Sequence, residues 1–167
     1  MSRQLNFVTS QSSLGWILVA LSENGVCAIF LGHDPDALVA DLLARFPEAT
    51  LIRGGTAVEA AAREVRTTVE FPTRELRLRL DAQGTPFQQR VWQTLREIPA
   101  GSTVTYTEIA TRIGAPDAVR AVATACAANP LAVAIPCHRV VRRDGSLAGY
   151  RWGVERKQEL LFREGAA

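Results

Sequence analysis

The chain has 167 residues, of which 47% are hydrophobic and 22% charged. This length allows one large domain or two small ones, and the composition excludes a disordered or fibrous protein. No apolar stretch approaches the ~20 residues of a membrane helix, and the first residues do not resemble a signal peptide. Three cysteines without an export signal indicate free thiols, so we expect a cytoplasmic protein with no membrane partner.

The formal net charge of +2 is divided unevenly along the chain. Residues 1–84 contain 8 arginines and 10 acidic residues, whereas residues 85–167 contain 11 basic and 7 acidic residues. The mildly basic second half suits an anionic partner such as nucleic acid, although a solvated surface would also account for it.

The first elements predict an α/β layer. Two apolar runs, residues 16–21 and 26–31, flank Asn24-Gly25, which is typical of a tight β-hairpin. Asp34-Pro35 is an N-cap followed by a first helical residue, and a second helix is predicted over residues 56–69. We find no residues with obvious chemistry in this half.

A last predicted strand and a linker end this layer. Leu76, Leu78 and Leu80 alternate with arginines and predict a half-buried strand. The next residues form a plausible linker, so we divide the chain into an N-terminal α/β subdomain, residues 1–82, and a second domain, residues 85–167.

The second domain is predicted to be mainly helical. A helix is expected over residues 85–98, and two short helices over residues 107–113 and 117–128 have the size of a helix-turn-helix. The apolar residues 131–135 are predicted to be extended, and a last helix is predicted from about Val154.

The helix over residues 117–128 is rich in alanine and has one long polar side chain, Arg120. It has no Asn, Gln or Lys that would reach base edges in a major groove. It is therefore either a buried helix packed through its alanines or a slim helix that enters a minor groove. The helix by itself favours the buried interpretation.

Chemistry is concentrated in Pro136-Cys137-His138-Arg139-Val140. A neighbouring imidazole can favour the nucleophilic thiolate of a cysteine. Adjacent residues of a regular strand point to opposite faces, so a Cys137–His138 pair needs an irregular backbone or a water that relays the proton. In isolation, an inert buried thiol beside a surface histidine is the simpler interpretation.

This segment resembles the active-site signature of the O6-alkylguanine–DNA alkyltransferases. Further segments of this chain resemble segments of that family and occur in the same order along the sequence. The similarity covers essentially all of residues 85–164. These segments are residues 87–92, 98–101, 106, 109–110, 120–122, 129–130 and 149–153. The last of them is most similar to the alkyltransferase domain of bacterial Ada-type proteins, which also carry a four-cysteine zinc domain that this chain lacks. The chain is therefore expected to be a stand-alone protein or an excised domain.

The resemblance implies both fold and activity. The N-terminal subdomain would be a ribonuclease H-like sheet with helices, and the second domain would contain a helix-turn-helix. The implied function is DNA repair without a cofactor, in which an alkyl group, mainly methyl, passes from O6 of guanine to Cys137. O4 of thymine would also be a substrate. Minor-groove binding and base flipping of duplex DNA would precede a single turnover.

The resemblance also implies the roles of the reacting residues. Cys137 would be the alkyl acceptor, and His138, positioned by Glu164, would accept the thiol proton through a water. Tyr106 would donate its hydroxyl proton toward guanine N3. The carbonyls of Cys137 and Val140 would accept the exocyclic amine of the base.

Other positions would bind the base and the DNA. The main-chain amide of Arg151 would face O6, Asn129 would brace the turn before the active site, and Tyr150 would contribute to the base pocket. Trp152 is expected to narrow that pocket in favour of methyl adducts. Arg120 would fill the space left by the extruded nucleotide. The remaining DNA contacts are expected from Ala118, Val119, Ala121 and Thr124.

The residues leave two other classes open. One is a non-catalytic DNA-binding regulator with Cys137 as a redox sensor, and another is a papain-like hydrolase with its partners placed differently. No structural zinc is expected, because only Cys27 and His33 are available in the first half and a closed site needs four ligands. We expect a monomer, and the sequence leaves cooperative assembly on DNA open.

Overall fold

A four-stranded sheet forms the first third of the computed structural model, which describes residues 3–166. Its strand order is β3-β2-β1-β4, with antiparallel pairing of β1, β2 and β3 and parallel pairing of β4 with β1. The strands are β1 (Gln4–Ser12), β2 (Gly15–Ser22), β3 (Gly25–Gly32) and β4 (Thr50–Arg53). The chain passes from β3 to β4 through a helix, α1 (Pro35–Arg45).

The predicted hairpin and the two predicted helices of this layer are confirmed. Gly25, the first residue of β3 after the turn, has φ +137°. The Asp34 side chain caps α1 by accepting a hydrogen bond from the amide of Asp36 at 3.0 Å. Helix α2 (Thr56–Glu70) packs on β1 and β2 through its buried apolar residues. The sequence analysis did not predict β1 or β4.

The predicted strand over residues 76–80 is wrong. Only Leu80 forms a bridge, with Val26 at the start of β3. The three leucines are half-buried, as their alternation indicates, but the segment lies along the sheet without a continuous ladder of hydrogen bonds.

The second part of the chain is mainly helical, as predicted. Its helices are α3 (Pro86–Leu95), α4 (Tyr106–Arg112), α5 (Val119–Ala127) and α6 (Val154–Arg163). Two short strands, β5 (Val104–Thr105) and β6 (Val140–Val141), pair in parallel. No helix within residues 3–166 has the length and apolar character needed to cross a membrane.

Two of these helices differ from the prediction in where they begin or end. Helix α3 begins in a capping box formed by Thr85 and Gln88, but it ends at Leu95. Ile98 follows in a turn and is nevertheless buried. Helix α5 begins two residues later than expected, because Asp117 lies in the preceding turn.

The segment before the Cys137 region is folded into turns, so the extended conformation predicted for residues 131–135 is wrong. Val133 has φ +70°, which is rare for a β-branched residue. The Ile29 amide donates to the Pro130 carbonyl at 2.9 Å, and the Ala132 amide donates to the Ile29 carbonyl at 3.0 Å. Backbone hydrogen bonds to β3 therefore hold this segment.

The two predicted domains share one hydrophobic core in the described residues. Arg45 of α1 donates to the carbonyls of Ala128 at 3.3 Å and Gln83 at 2.8 Å. Arg156 of α6 donates to the carbonyl of Leu14 at 2.6 Å. Arginine side chains therefore join the parts on either side of residues 82–85. The division of the chain into two domains there stays a prediction.

Candidate active site

A cavity of about 840 Å³ lies between α5 and the segment that precedes α6. Its walls include Tyr106, Arg120, Cys126, Cys137, Tyr150 and Arg151. The sequence analysis singled out five of these positions as site residues, and the fold brings them to one space. The sixth position, Cys126, has no role in the sequence analysis.

Cys137 lies at the start of a single 3₁₀ turn, Cys137–Arg139, rather than in a strand. The backbone is therefore irregular here, which is one of the two conditions named for a Cys137–His138 pair. The Cys137 sulfur accepts a hydrogen bond from Asn129 Nδ2 at 3.2 Å. Burial raises the pKa of Cys137 to about 11, although the Asn129 hydrogen bond and the Lys157 charge oppose this effect. The resting group is therefore a thiol.

Asn129 ties together the turns before Cys137. Its Nδ2 donates to the Ile135 carbonyl at 2.9 Å, and its Oδ1 accepts from the Leu131 amide at 2.8 Å. Its carbonyl accepts from the Arg151 guanidinium at 2.8 Å. The fully buried Asn129 thus lies where a bracing residue is needed.

His138 and Glu164 form a buried pair, with 2.8 Å between Nε2 and Oε2. Burial lowers the pKa of His138, and Glu164 offsets this only in part. Burial alone would raise the pKa of Glu164, but hydrogen bonds from His138 and Arg139 hold it below its ordinary value. A neutral imidazole beside a carboxylate carries its proton on Nε2, so Nδ1 has a free lone pair.

Arg139 also binds Glu164 of this pair, although the sequence analysis gave it no role. Its Nε and Nη2 donate to the two Glu164 oxygens at 3.0 and 2.8 Å, and its Nη1 donates to the Ile98 carbonyl at 2.6 Å. The fork geometry explains how a buried carboxylate stays ionised.

Lys157 is a buried residue that the sequence analysis missed. It is fully buried on α6, with Nζ 3.5 Å from the Ala148 carbonyl oxygen. Burial lowers its pKa, whereas Cys137 and Cys126 raise it. The available signal was spacing: Lys157 shares a helical stripe with the buried residues Leu160, Leu161 and Glu164.

Two tyrosines line the cavity together with Cys137, and a tryptophan packs against one of them. Burial raises the pKa of Tyr106 to about 12, so its hydroxyl keeps its proton. The Tyr150 ring meets His138 edge-on, with 6.4 Å between ring centroids. Trp152 packs behind Tyr150 at 5.4 Å and lies outside the described cavity wall. The narrowing of the pocket in favour of methyl adducts therefore stays a prediction, and Trp152 contacts the cavity wall through the Tyr150 ring.

Val140 follows the 3₁₀ turn at the start of β6 and is fully buried. Its amide donates to the Cys137 carbonyl, which keeps a second lone pair for another donor.

Helix α5 has one buried and one exposed face, so the buried interpretation holds for one face and entry of the helix into a minor groove stays a prediction. Val122, Ala125 and Cys126 are buried, and Trp92 Nε1 donates to the Ala125 carbonyl at 2.9 Å. The exposed face carries Arg120, Ala121 and Thr124, with Ala118 and Val119 half-buried at the start of the helix. This face of small side chains borders the cavity mouth.

Comparison with known proteins agrees with this architecture. A sequence profile for "6-O-methylguanine DNA methyltransferase, DNA binding domain" matches residues 86–166. The Mycobacterium tuberculosis protein OGT, solved in complex with DNA, superimposes with a TM-score of 0.82 and 33% identity, covering 96% of this chain and 93% of that chain. The chain belongs to the 6-O-methylguanine DNA methyltransferase family.

Curated relatives support the expected similarity to Ada-type proteins. The chain is 51% identical over 160 residues to the Escherichia coli bifunctional transcriptional activator/DNA repair enzyme Ada, covering 96% of this chain and 45% of that protein. It is 43% identical over 117 residues to the inducible methylated-DNA–protein-cysteine methyltransferase of Bacillus subtilis, covering 70% of this chain and 65% of that protein. The chain thus spans less than half the length of the Ada protein.

Proposed function

We propose that the protein repairs alkylated DNA by moving an alkyl group, mainly methyl, from O6 of guanine to Cys137. The observation that carries this proposal is a cysteine on a cavity wall, adjacent in sequence to a buried His138–Glu164–Arg139 network. The names of the relatives supply the reaction class: methylated-DNA–protein-cysteine methyltransferase. The proposal extends to O4 of thymine as a second position from which Cys137 removes the alkyl group.

The chemistry requires a base, because Cys137 rests as a thiol. As the bond from Sγ to the methyl carbon forms, the bond from that carbon to O6 breaks. The thiol proton passes through a water to Nδ1 of the neutral His138, and Glu164 stabilises the resulting imidazolium. Tyr106 donates its hydroxyl proton toward guanine N3 as negative charge develops on the leaving base. The product is a thioether, which water does not readily cleave, so each molecule acts once.

Backbone groups orient the base in this proposal. The second lone pair of the Cys137 carbonyl and the Val140 carbonyl accept the exocyclic amine, while the Arg151 amide faces O6. Tyr150 forms part of the wall beside the base. The three backbone contacts are made by groups that a substitution does not remove.

DNA binding is proposed to use the exposed face of α5 in the minor groove. The small side chains at Ala118, Val119, Ala121 and Thr124 allow close approach, and Arg120 occupies the space of the flipped nucleotide. Affinity then comes mainly from phosphate contacts and falls with salt. The protein acts as a monomer in this proposal, and its free thiols support a reducing, cytoplasmic setting.

The test is intact-protein mass measurement after incubation with duplex DNA that contains O6-methylguanine. We expect a gain of one methyl group per molecule that disappears in Cys137→Ala. Cys27→Ala is the matched control, because that thiol is buried in β3 and should leave the gain unchanged. Tight lesion binding without a mass gain would instead indicate a lesion-recognition protein.

The redox-sensor alternative receives no support from the site. Sensor cysteines combine a low pKa with exposure, whereas Cys137 is 5% exposed and its pKa is raised to about 11.

A further inference from the structure

Two buried side-chain polar atoms within residues 3–166 have no hydrogen-bond partner: His138 Nδ1 and the Tyr150 hydroxyl. An unsatisfied buried polar group costs about 1–3 kcal/mol, so native structures rarely leave one unpaired. His138 and Tyr150 are in ring contact, so a single bound group can satisfy both atoms.

The geometry brings these two atoms to the same region as the thiol. The His138 and Tyr150 rings meet edge-on at 79°, with centroids 6.4 Å apart. Trp152 contacts the Tyr150 ring at 73° and 5.4 Å, which fixes the ring in place. Tyr150 and Cys137 both line the cavity, and Cys137 directly precedes His138.

We propose that the Tyr150 hydroxyl holds a water between the Cys137 thiol and His138 Nδ1, and that Tyr150 is a positioning residue for the proton transfer. This inference rests on the proposed function. Buried waters typically make about three hydrogen bonds, and this site offers three partners. The thiol and the Tyr150 hydroxyl donate to the water oxygen, and the water donates to Nδ1.

The step is balanced in protons. The thiol proton moves to the water while a water proton moves to Nδ1, so the water is regenerated. Sγ becomes nucleophilic, and His138 becomes an imidazolium that Glu164 stabilises through Nε2. Burial and the nearby Cys137 and Glu164 raise the pKa of Tyr150 well above its ordinary value, so its hydroxyl remains a donor throughout.

The test substitution is Tyr150→Phe, which keeps the ring and removes the hydroxyl. We expect the methyl-transfer rate near neutral pH to fall about tenfold, a part of what general-base catalysis contributes. We also expect the rise of rate with pH to move to higher pH, so that the variant approaches the parent once hydroxide can form the thiolate. The charged groups that bear on this space, Glu164, Arg139, Lys157, Arg151 and Arg156, are unchanged in the variant.

Two controls separate positioning from packing. The melting temperature and the lesion affinity of Tyr150→Phe should match the parent. Combined with His138→Gln, Tyr150→Phe should add no further loss of rate, because both act through one water.

The results that would contradict the role of Tyr150 differ from the result that would contradict the proposed function. An equal loss at every pH, additive losses in the double variant, or no loss at any pH would each overturn the role of Tyr150. Absence of methyl transfer in the parent itself would overturn the proposed function.

Discussion

The buried carboxylate of Glu164 binds both the neutral imidazole of His138 and the guanidinium of Arg139. Because protonation of His138 and Glu164 differs between the folded and unfolded chain, the free energy of unfolding depends on pH. Burial holds the pKa of His138 below the ordinary value of 6.5. Below about that pH, the unfolded chain takes up a proton at this residue that the folded chain does not. The free energy of unfolding should therefore decrease as the pH is lowered below about 6.5, by up to about 1.4 kcal/mol per pH unit for one proton. Glu164, whose pKa is also lowered, adds a loss of the same sign at lower pH.

Urea unfolding at about pH 7, 6 and 5 measures this slope. His138→Gln keeps a donor for Glu164 but removes the titration, so its slope over this range should be smaller. Equal slopes in parent and variant would show that His138 is not held neutral by the fold.

The Arg139 side chain should not tolerate replacement by lysine. Lysine keeps the charge but cannot bond both Glu164 oxygens and the Ile98 carbonyl in the same fork geometry. We expect Arg139→Lys to lower the free energy of unfolding by about 1–3 kcal/mol. The exposed Arg143 provides the control, because Arg143→Lys should change stability by less than about 0.5 kcal/mol.

At the scale of elements, α5 combines a packed face with an exposed face of small side chains and one arginine. We expect Arg120→Ala to lower the methyl-transfer rate from duplex DNA by about tenfold, since extruding a base costs a few kcal/mol. Transfer from the free base O6-methylguanine should be unchanged, because no flipping is needed. Arg112→Ala, at the exposed end of α4, is the control on duplex DNA. A similar loss with the free base would indicate damage to the cavity instead.

Helix starts could be predicted from the sequence because their signals are local, as at Asp34 and Thr85, where the caps form as expected. Strands are harder to predict from the sequence, because each strand pairs with residues that are distant along the chain. β4 has only four residues and is defined by β1 beside it. The turns around Val133 depend on the Asn129 side chain and on β3, and neither contact is encoded in the apolar residues of that segment.

The family resemblance singles out Cys137, His138, Glu164 and Tyr106, whose roles stay predictions. The fold places Cys137 and Tyr106 on one cavity and pairs His138 with Glu164. The geometry of their partners was not predictable from the sequence. The fork of Arg139 and the unpaired Tyr150 hydroxyl depend on how α6 and the preceding loop pack against the 3₁₀ turn.

Across the whole molecule, side-chain and backbone contacts join the sheet to the active-site segment. Besides the hydrogen bonds of Ile29, the Arg151 guanidinium lies 4.9 Å from the centroid of the Phe30 ring. We therefore expect residues 3–166 to unfold as one cooperative unit. In a variant that keeps only Trp16, in the sheet, and in one that keeps only Trp92, in α3, fluorescence and far-ultraviolet circular dichroism should each report one and the same urea midpoint. Two separate midpoints would show that the parts on either side of residues 82–85 unfold independently.

The buried position of Lys157 has a practical consequence, because it is the only lysine in the chain. Acylating reagents and amine-directed crosslinkers have no exposed side-chain target on the folded protein. Modification of Lys157 would occur only when α6 separates from its neighbours. Mass shifts at this one position would therefore report how often the active-site region opens, without an introduced label.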